Sequence, residues 1–254
     1  MSPRADNVRS LFDSEALDYV RSREQEYSFQ CQKKIVLEML QGSSGRALDI
    51  GCGAAVMEEA LLERGFETWG IDVSARMIEY GKARIARHPQ ARRCHLALGD
   101  AERLSCADGF YDAIVSMGAL EYLPDYEPAL REVHRALRSG GVAVLTVPNR
   151  VAAYHAARRG YDKARAAAAR LVPVRAELAS VSVNRCVPWR LDRQLARCGL
   201  RKVESRTCNF IFFPLHDKFP RASLALNRSL WPLCGSPLGL FLGAQYVVKV
   251  QKRG

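Results

Sequence analysis

Short apolar runs alternate with amphipathic stretches through the first 150 residues. Ala47-Leu48-Asp49-Ile50, Gly70-Ile71-Asp72-Val73, Leu96-Ala97-Leu98, Ala113-Ile114-Val115 and Val142-Ala143-Val144-Leu145 read as buried strands, being short, apolar and bounded by turn residues. Between them the pattern predicts a helix over 55–64 closed by Gly65, and a helix over 75–87 with Ser74 as its N-cap. A further helix over 27–40 leads into the first strand and is broken by Gly42-Ser43-Ser44-Gly45. Strands and helices in alternation mark a parallel sheet covered on both faces. After Pro148 the character changes. Val151–Leu171 is rich in alanine and arginine, a strong helix former. Pro188-Trp189-Arg190-Leu191 opens another helix, closed by Gly199. Lys202–Phe210 and Gln245–Val250 then read as two more strands.

The chemistry concentrates where the first strand ends. Asp49-Ile50-Gly51-Cys52-Gly53 places an acid before two glycines one residue apart, a sharp turn that lets a ligand approach bare backbone. Asp72 ends the second apolar run about 20 residues on, where nucleoside-binding folds put a carboxylate on the ribose hydroxyls. Asp100 follows the third. A dinucleotide turn would carry a third glycine, and Val56 stands in its place. Three acids in series, with no lysine or arginine in the loop, favour a nucleoside ligand that is cationic and lacks phosphates. S-adenosylmethionine has that chemistry.

With Phe110–Leu123 and Leu137–Thr146 added, residues 45–150 resemble a class I S-adenosylmethionine-dependent methyltransferase, in the branch that modifies small molecules. The resemblance implies a doubly wound α/β sheet of seven strands, parallel except for the last, with helical lid insertions. It also implies roles for named residues. Asp49, Gly51, Cys52 and Gly53 would line the methionine part of the cofactor, with Ser116 and Met117 near it. Asp72 would take the ribose hydroxyls, Val73 and Met77 would lie beside the adenine, and Asp100 with Ala101 would bind its edge. The product would be S-adenosylhomocysteine. On this reading 1–44 is an N-terminal helical segment, 45–150 the cofactor-binding core and 151–187 a basic lid insertion. Residues 188–254 complete the core and carry an apolar insertion at 211–243, and both insertions are expected to wall the substrate pocket.

Length and composition suit one globular α/β domain with an elaboration, at 254 residues, 48% hydrophobic and 26% charged. No apolar run reaches the roughly 20 residues of a membrane span, and the N-terminus lacks an apolar signal core, so the expected location is cytoplasmic. The eight cysteines form no C-x-x-C pair and no metal-ligand spacing, and no metal is expected. Charge is uneven: of the net +11, residues 151–254 hold 19 basic side chains against five acids. Such a half speaks about partners, and it suggests peripheral contact with an anionic membrane.

A hydroxyl acceptor needs a base to take its proton, whereas an amine needs only to be neutral. Related enzymes often carry a Glu-His pair after the fourth strand, and here the pair is Glu121-Tyr122. Tyr122 is therefore one catalytic candidate. His155, just past the fifth strand, and His216, beside Asp217, are the others. The expected reaction is O-methylation of a small or lipophilic acceptor, with N-methylation next. An RNA methyltransferase and a non-catalytic cofactor-binding protein are further alternatives. Basic residues interleaved with alanine, without stacking aromatics, argue against nucleic acid. Three intact acids argue against a decayed site.

Overall fold

A computed structural model describes residues 7–14, 16, 26–169, 183–211 and 219–253. Seven strands form one sheet: β1 (Arg46–Ile50), β2 (Glu67–Asp72), β3 (Cys94–Leu98), β4 (Tyr111–Met117), β5 (Leu137–Pro148), β6 (Leu200–Phe210) and β7 (Gly243–Lys252). Their order is β3-β2-β1-β4-β5-β7-β6. β7 runs antiparallel to both β5 and β6, and the other pairings are parallel. The chain thus has the α/β fold expected of it, with the single antiparallel strand in the expected place.

Side chains alternate between two cores, as the period of two requires. On one face Leu48, Ile50, Ile114, Leu145, Tyr246 and Val248 pack beneath α5 (Glu127–Ala136) and α7 (Pro188–Arg197). On the other, Ala47, Ala113, Val115, Val144 and Val247 meet α2 (Tyr27–Met39) and α3 (Val56–Glu63). Residues 7–14 form a separate helix, α1. Ser74 caps α4 (Ala75–Ile85) by accepting from Met77 N at 3.1 Å, as its sequence context predicts. That helix stops two residues short of the expected end.

The pairing of β5 is interrupted at its glycines: Leu137 faces Tyr111, pairing with β4 resumes at Val142 opposite Ala113, and Gly140 between them takes φ 74°. The apolar insertion resolves one of the alternatives its composition leaves open. Its described part forms α8 (Pro220–Ser229), a 3₁₀ turn (Trp231–Gly235) and α9 (Pro237–Leu242). Leu230, Trp231, Leu233, Cys234 and Leu242 fold back on the core that α2 shares with β6. The segment packs against β6, the last strand of the sheet. The basic helix α6 (Ala153–Ala169) follows β5.

Asn149 fastens this elaboration. Fully buried, it donates through Nδ2 to the carbonyls of Leu240 and Gly243, at 2.7 and 2.8 Å, and accepts from Val151 N at 3.2 Å. Replacing it with alanine orphans two buried carbonyls, at about 1–3 kcal/mol for each group left unsatisfied. Asn149→Ala is expected to lower the urea midpoint by the equivalent of about 2 kcal/mol or more with an unchanged slope.

Candidate functional site

A cavity of about 420 Å³ opens beyond the carboxyl ends of β1, β2 and β4 and beside β3, where open α/β sheets bind ligands. The floor is the turn after β1. Gly51 and Cys52 donate their backbone N–H groups to the Ile71 carbonyl at 2.8 and 3.0 Å, which draws the turn over the end of β2. Gly51 has φ 77°, and a Cβ there would overlap the side chain of Ala119. Gly53 has φ 53° and nothing within 4 Å of a Cβ position. One glycine lets two turns touch, and the other leaves room at the cavity.

Asp72 is held on both oxygens. Oδ2 accepts from Gly53 N at 3.0 Å and Oδ1 from Ser74 N at 2.9 Å. Its orientation is therefore fixed, and further lone pairs remain for a ligand. Asp100 accepts from Glu102 N at 2.9 Å through Oδ1. Gly51, Gly53, Asp72, Val73, Met77, Asp100, Ala101 and Met117 line the cavity, and so does Tyr122. Asp49, Cys52 and Ser116 lie behind the lining: each is buried, and the Ser116 hydroxyl donates to the Ile50 carbonyl at 3.2 Å.

Asp49 sets the electrostatics. It is 3% exposed, and its Oδ1 has no hydrogen-bond partner. Burial, and then the charge of Asp72, push its pKa up to about 7. Glu58, from α3, is fully buried close by with both carboxyl oxygens unpartnered, and burial and the charge of Asp49 drive its pKa well upward. Burial also raises Asp72, against the pull of the Ser74 and Gly53 N–H groups. Among the described residues, the charged side chains acting on these three carboxyls are other acids. A cation arriving at them meets attraction. An orphaned buried carboxylate oxygen beside an uncrowded glycine turn fits a sulfonium-bearing nucleoside.

The helix 7–14, which the sequence reading took only as part of a polar segment, closes the cavity. Val8, Arg9 and Phe12 line it. Arg9 Nε donates to the Val73 carbonyl at 3.1 Å. The hydroxyl of Ser74 donates to Asp13, and Phe12 meets the Tyr122 ring edge-on at 5.2 Å. A signal was present, since Val8 and Phe12 are four residues apart and share a helix face. Leu98, 60% exposed, and Glu102 are further lining residues that the sequence reading did not name.

Neither insertion contributes a described side chain to the cavity, so the described parts of both lie away from the wall expected of them. His155 is not among the lining residues either. It is half-buried with Nε2 unpartnered, and burial, with the charges of Arg185 and Arg159, depresses its pKa to about 4. His216 and its neighbour Asp217 fall outside the described residues. No group of metal-ligating side chains exists among the described residues.

Residues 48–145 match the methyltransferase domain family model. Over those residues the chain is similar to the class I S-adenosylmethionine-dependent methyltransferases. A demethylmenaquinone methyltransferase of Staphylococcus epidermidis is 34% identical over 117 residues, covering 44% of this chain and 47% of the relative. The chain thus spans about half the length of the curated relative it matches. Its fold is similar to the magnesium protoporphyrin IX methyltransferase of Synechocystis, solved with S-adenosylhomocysteine bound (TM-score 0.68, 12% identity, 97% and 99% of the two chains). It is also similar to the [4+2]-cyclase SpnF (TM-score 0.67, 16% identity, 99% and 98%). A cyclase on this fold shows that the fold alone does not fix the reaction.

Asp49 gives the free protein a distinctive pH dependence. Its folded pKa of about 7 lies above the unfolded value, so the folded state binds the proton more tightly. The resulting stability is present below about pH 4 and is lost as pH rises towards 7. Asp49→Asn is expected to flatten this fall in a series of thermal melts from pH 5 to pH 8. An Asn variant whose melting temperature follows the wild-type curve would show that Asp49 does not carry the effect.

Proposed function

We propose that the protein transfers a methyl group from S-adenosylmethionine to a small or lipophilic acceptor and releases S-adenosylhomocysteine. One observation carries the reading. The glycine turn and the carboxylates Asp72 and Asp100 converge on a single cavity, backed by an unpartnered buried Asp49, within a methyltransferase domain. When bound, the cofactor supplies an electrophilic methyl on a sulfonium. The protein's part is mainly alignment, which supplies roughly 7–11 kcal/mol in favourable systems. Asp72 would accept from the ribose hydroxyls, and Asp100 with Ala101 would hold the adenine edge, between Val73 and Met77. Asp49, the Gly51-Cys52-Gly53 backbone, Ser116 and Met117 would serve the methionine end.

Oxygen is the proposed receiving atom, on an acceptor whose apolar body would lie against Phe12 and Tyr122. Nitrogen is the second reading, favoured by one observation: no described histidine lines the cavity, and a neutral amine needs no base. Tyr122 is the best placed of the three proton-acceptor candidates. His155 holds a neutral imidazole but lies off the lining. Product analysis by mass spectrometry and NMR identifies the methylated atom.

The lipophilic acceptor and the basic C-terminal half support peripheral contact with an anionic membrane. Leu238 and Phe241, about half exposed on α9, would be its apolar anchors. No described helix is long and apolar enough to cross a membrane. Sedimentation with phosphatidylglycerol vesicles but not phosphatidylcholine vesicles, abolished at high salt, is the expected outcome.

Two measurements test the chemistry. Calorimetric titration with S-adenosylmethionine should show affinity weakened at least tenfold in Asp72→Ala, because two hydroxyls lose one charged acceptor. Unchanged affinity would remove Asp72 from the site. Tyr122→Phe keeps the ring against Phe12 and deletes the hydroxyl. With an oxygen acceptor it should lower kcat by about 10²-fold or more while cofactor affinity stays level, and His155→Gln should lower it less. Equal kcat in Tyr122→Phe and wild type would exclude the hydroxyl from proton transfer.

A further inference from the structure

A second recess, of about 280 Å³, lies between α2 and the elaboration that follows β6. Tyr27, Cys31 and Lys34 line it from successive turns of α2, and Arg228 and Trp231 face them. Lys34 Nζ sits 4.5 Å from the centre of the Trp231 ring, and the Arg228 guanidinium 5.9 Å from that of Tyr27. Cations within about 6 Å of an aromatic face are attracted to it, so both heads are held at the recess. Neither makes an ion pair with a described carboxylate. Glu38, one turn further along α2, is occupied by Arg206.

The local field is positive. Burial raises the pKa of the Cys31 thiol at the recess, while the Tyr27 hydrogen bond and the charges of Lys34 and Arg228 pull it back, and no described carboxylate acts on it. No described residue of this recess lines the cofactor cavity. A lysine point charge facing an arginine fork suits a group with several acceptor oxygens and one or two negative charges. The rings of Tyr27 and Trp231 offer walls to a carbon body attached to it.

We propose that this recess binds a phosphate group, carried either by a small phosphomonoester or by an anionic lipid headgroup. Two probes separate the sources: glycerol 3-phosphate titrated by calorimetry, and phosphatidylglycerol vesicles in sedimentation against phosphatidylcholine vesicles. The variant is Lys34→Gln combined with Arg228→Gln. Both side chains are exposed, and the melting temperature confirms that the fold is kept. Wild type should bind at least one probe. The double variant should bind that probe at least tenfold more weakly, with S-adenosylmethionine affinity unchanged. Saturation by glycerol 3-phosphate assigns a free ester, and binding to the anionic vesicles alone assigns a headgroup. The site is refuted if wild type binds neither probe, or if the double variant binds as wild type does. Loss of S-adenosylmethionine binding in wild type would overturn the methyltransferase reading alone, since the two recesses share no residue.

Discussion

The turn after β1 is clasped to the end of β2 by three backbone donors. Gly51 and Cys52 reach the Ile71 carbonyl, and Gly53 reaches the Asp72 carboxylate. Each bond depends on the turn lying flat over the neighbouring strand, which the left-handed conformations at Gly51 and Gly53 allow. The clasp positions more than a loop. It orients Asp72 through the same oxygens that would meet a ribose, and it starts α3 close above the sheet. Asp72 also accepts from Ser74 N, and Ser74 caps α4 and donates to Asp13 beside the cavity. Turn, strand end, helix start and closing helix are thereby parts of one hydrogen-bonded assembly.

Behind that assembly sits an arrangement that stability alone would not favour. Glu58 brings a second carboxyl into the interior near Asp49, and it fits because Gly70 has no Cβ, which would overlap Glu58 Oε1. Buried carboxyls without counter-charges are costly, and their pKa values rise until the proton is retained. A ligand that brings its own positive charge relieves part of this strain. A cation bound beside these acids would lower the raised pKa values again and favour release of the retained proton.

Much of this was legible in the sequence for a physical reason. Parallel strands buried on both faces read as plain apolar runs, and the acids and glycines at their carboxyl ends stand out against them. The strands of the core, the capping of α4 by Ser74, and Asp72 and Asp100 at the cavity follow from that contrast. Side chains whose role depends on folding back from afar were not legible. Phe12 lies in a short helix whose neighbours in space, Val73, Ser74 and Tyr122, are distant in sequence. Glu58 reads as one acid of a Glu58-Glu59 pair on a helix, and only the space above Gly70 reveals which of the two turns inward. Ala55 is similar: it takes φ 62°, a conformation glycine would adopt without strain, and nothing in its identity announces it.

The apolar segment between β6 and β7 leaves alternatives open because composition does not reveal what a hydrophobic surface faces. Fourteen large apolar side chains from residue 211 to residue 243 are consistent with a substrate wall, a membrane anchor or a patch of core. In the described structure Leu230, Leu233 and Leu242 choose the core, packing on the face that α2 covers. That face belongs in part to β6, the last strand of the sheet, against which the segment packs. The acidic end of the sheet opens under α1, while the basic, aromatic-lined recess forms where the covering segment meets α2. The charge asymmetry of the sequence is thus laid out in space as two sites of opposite sign.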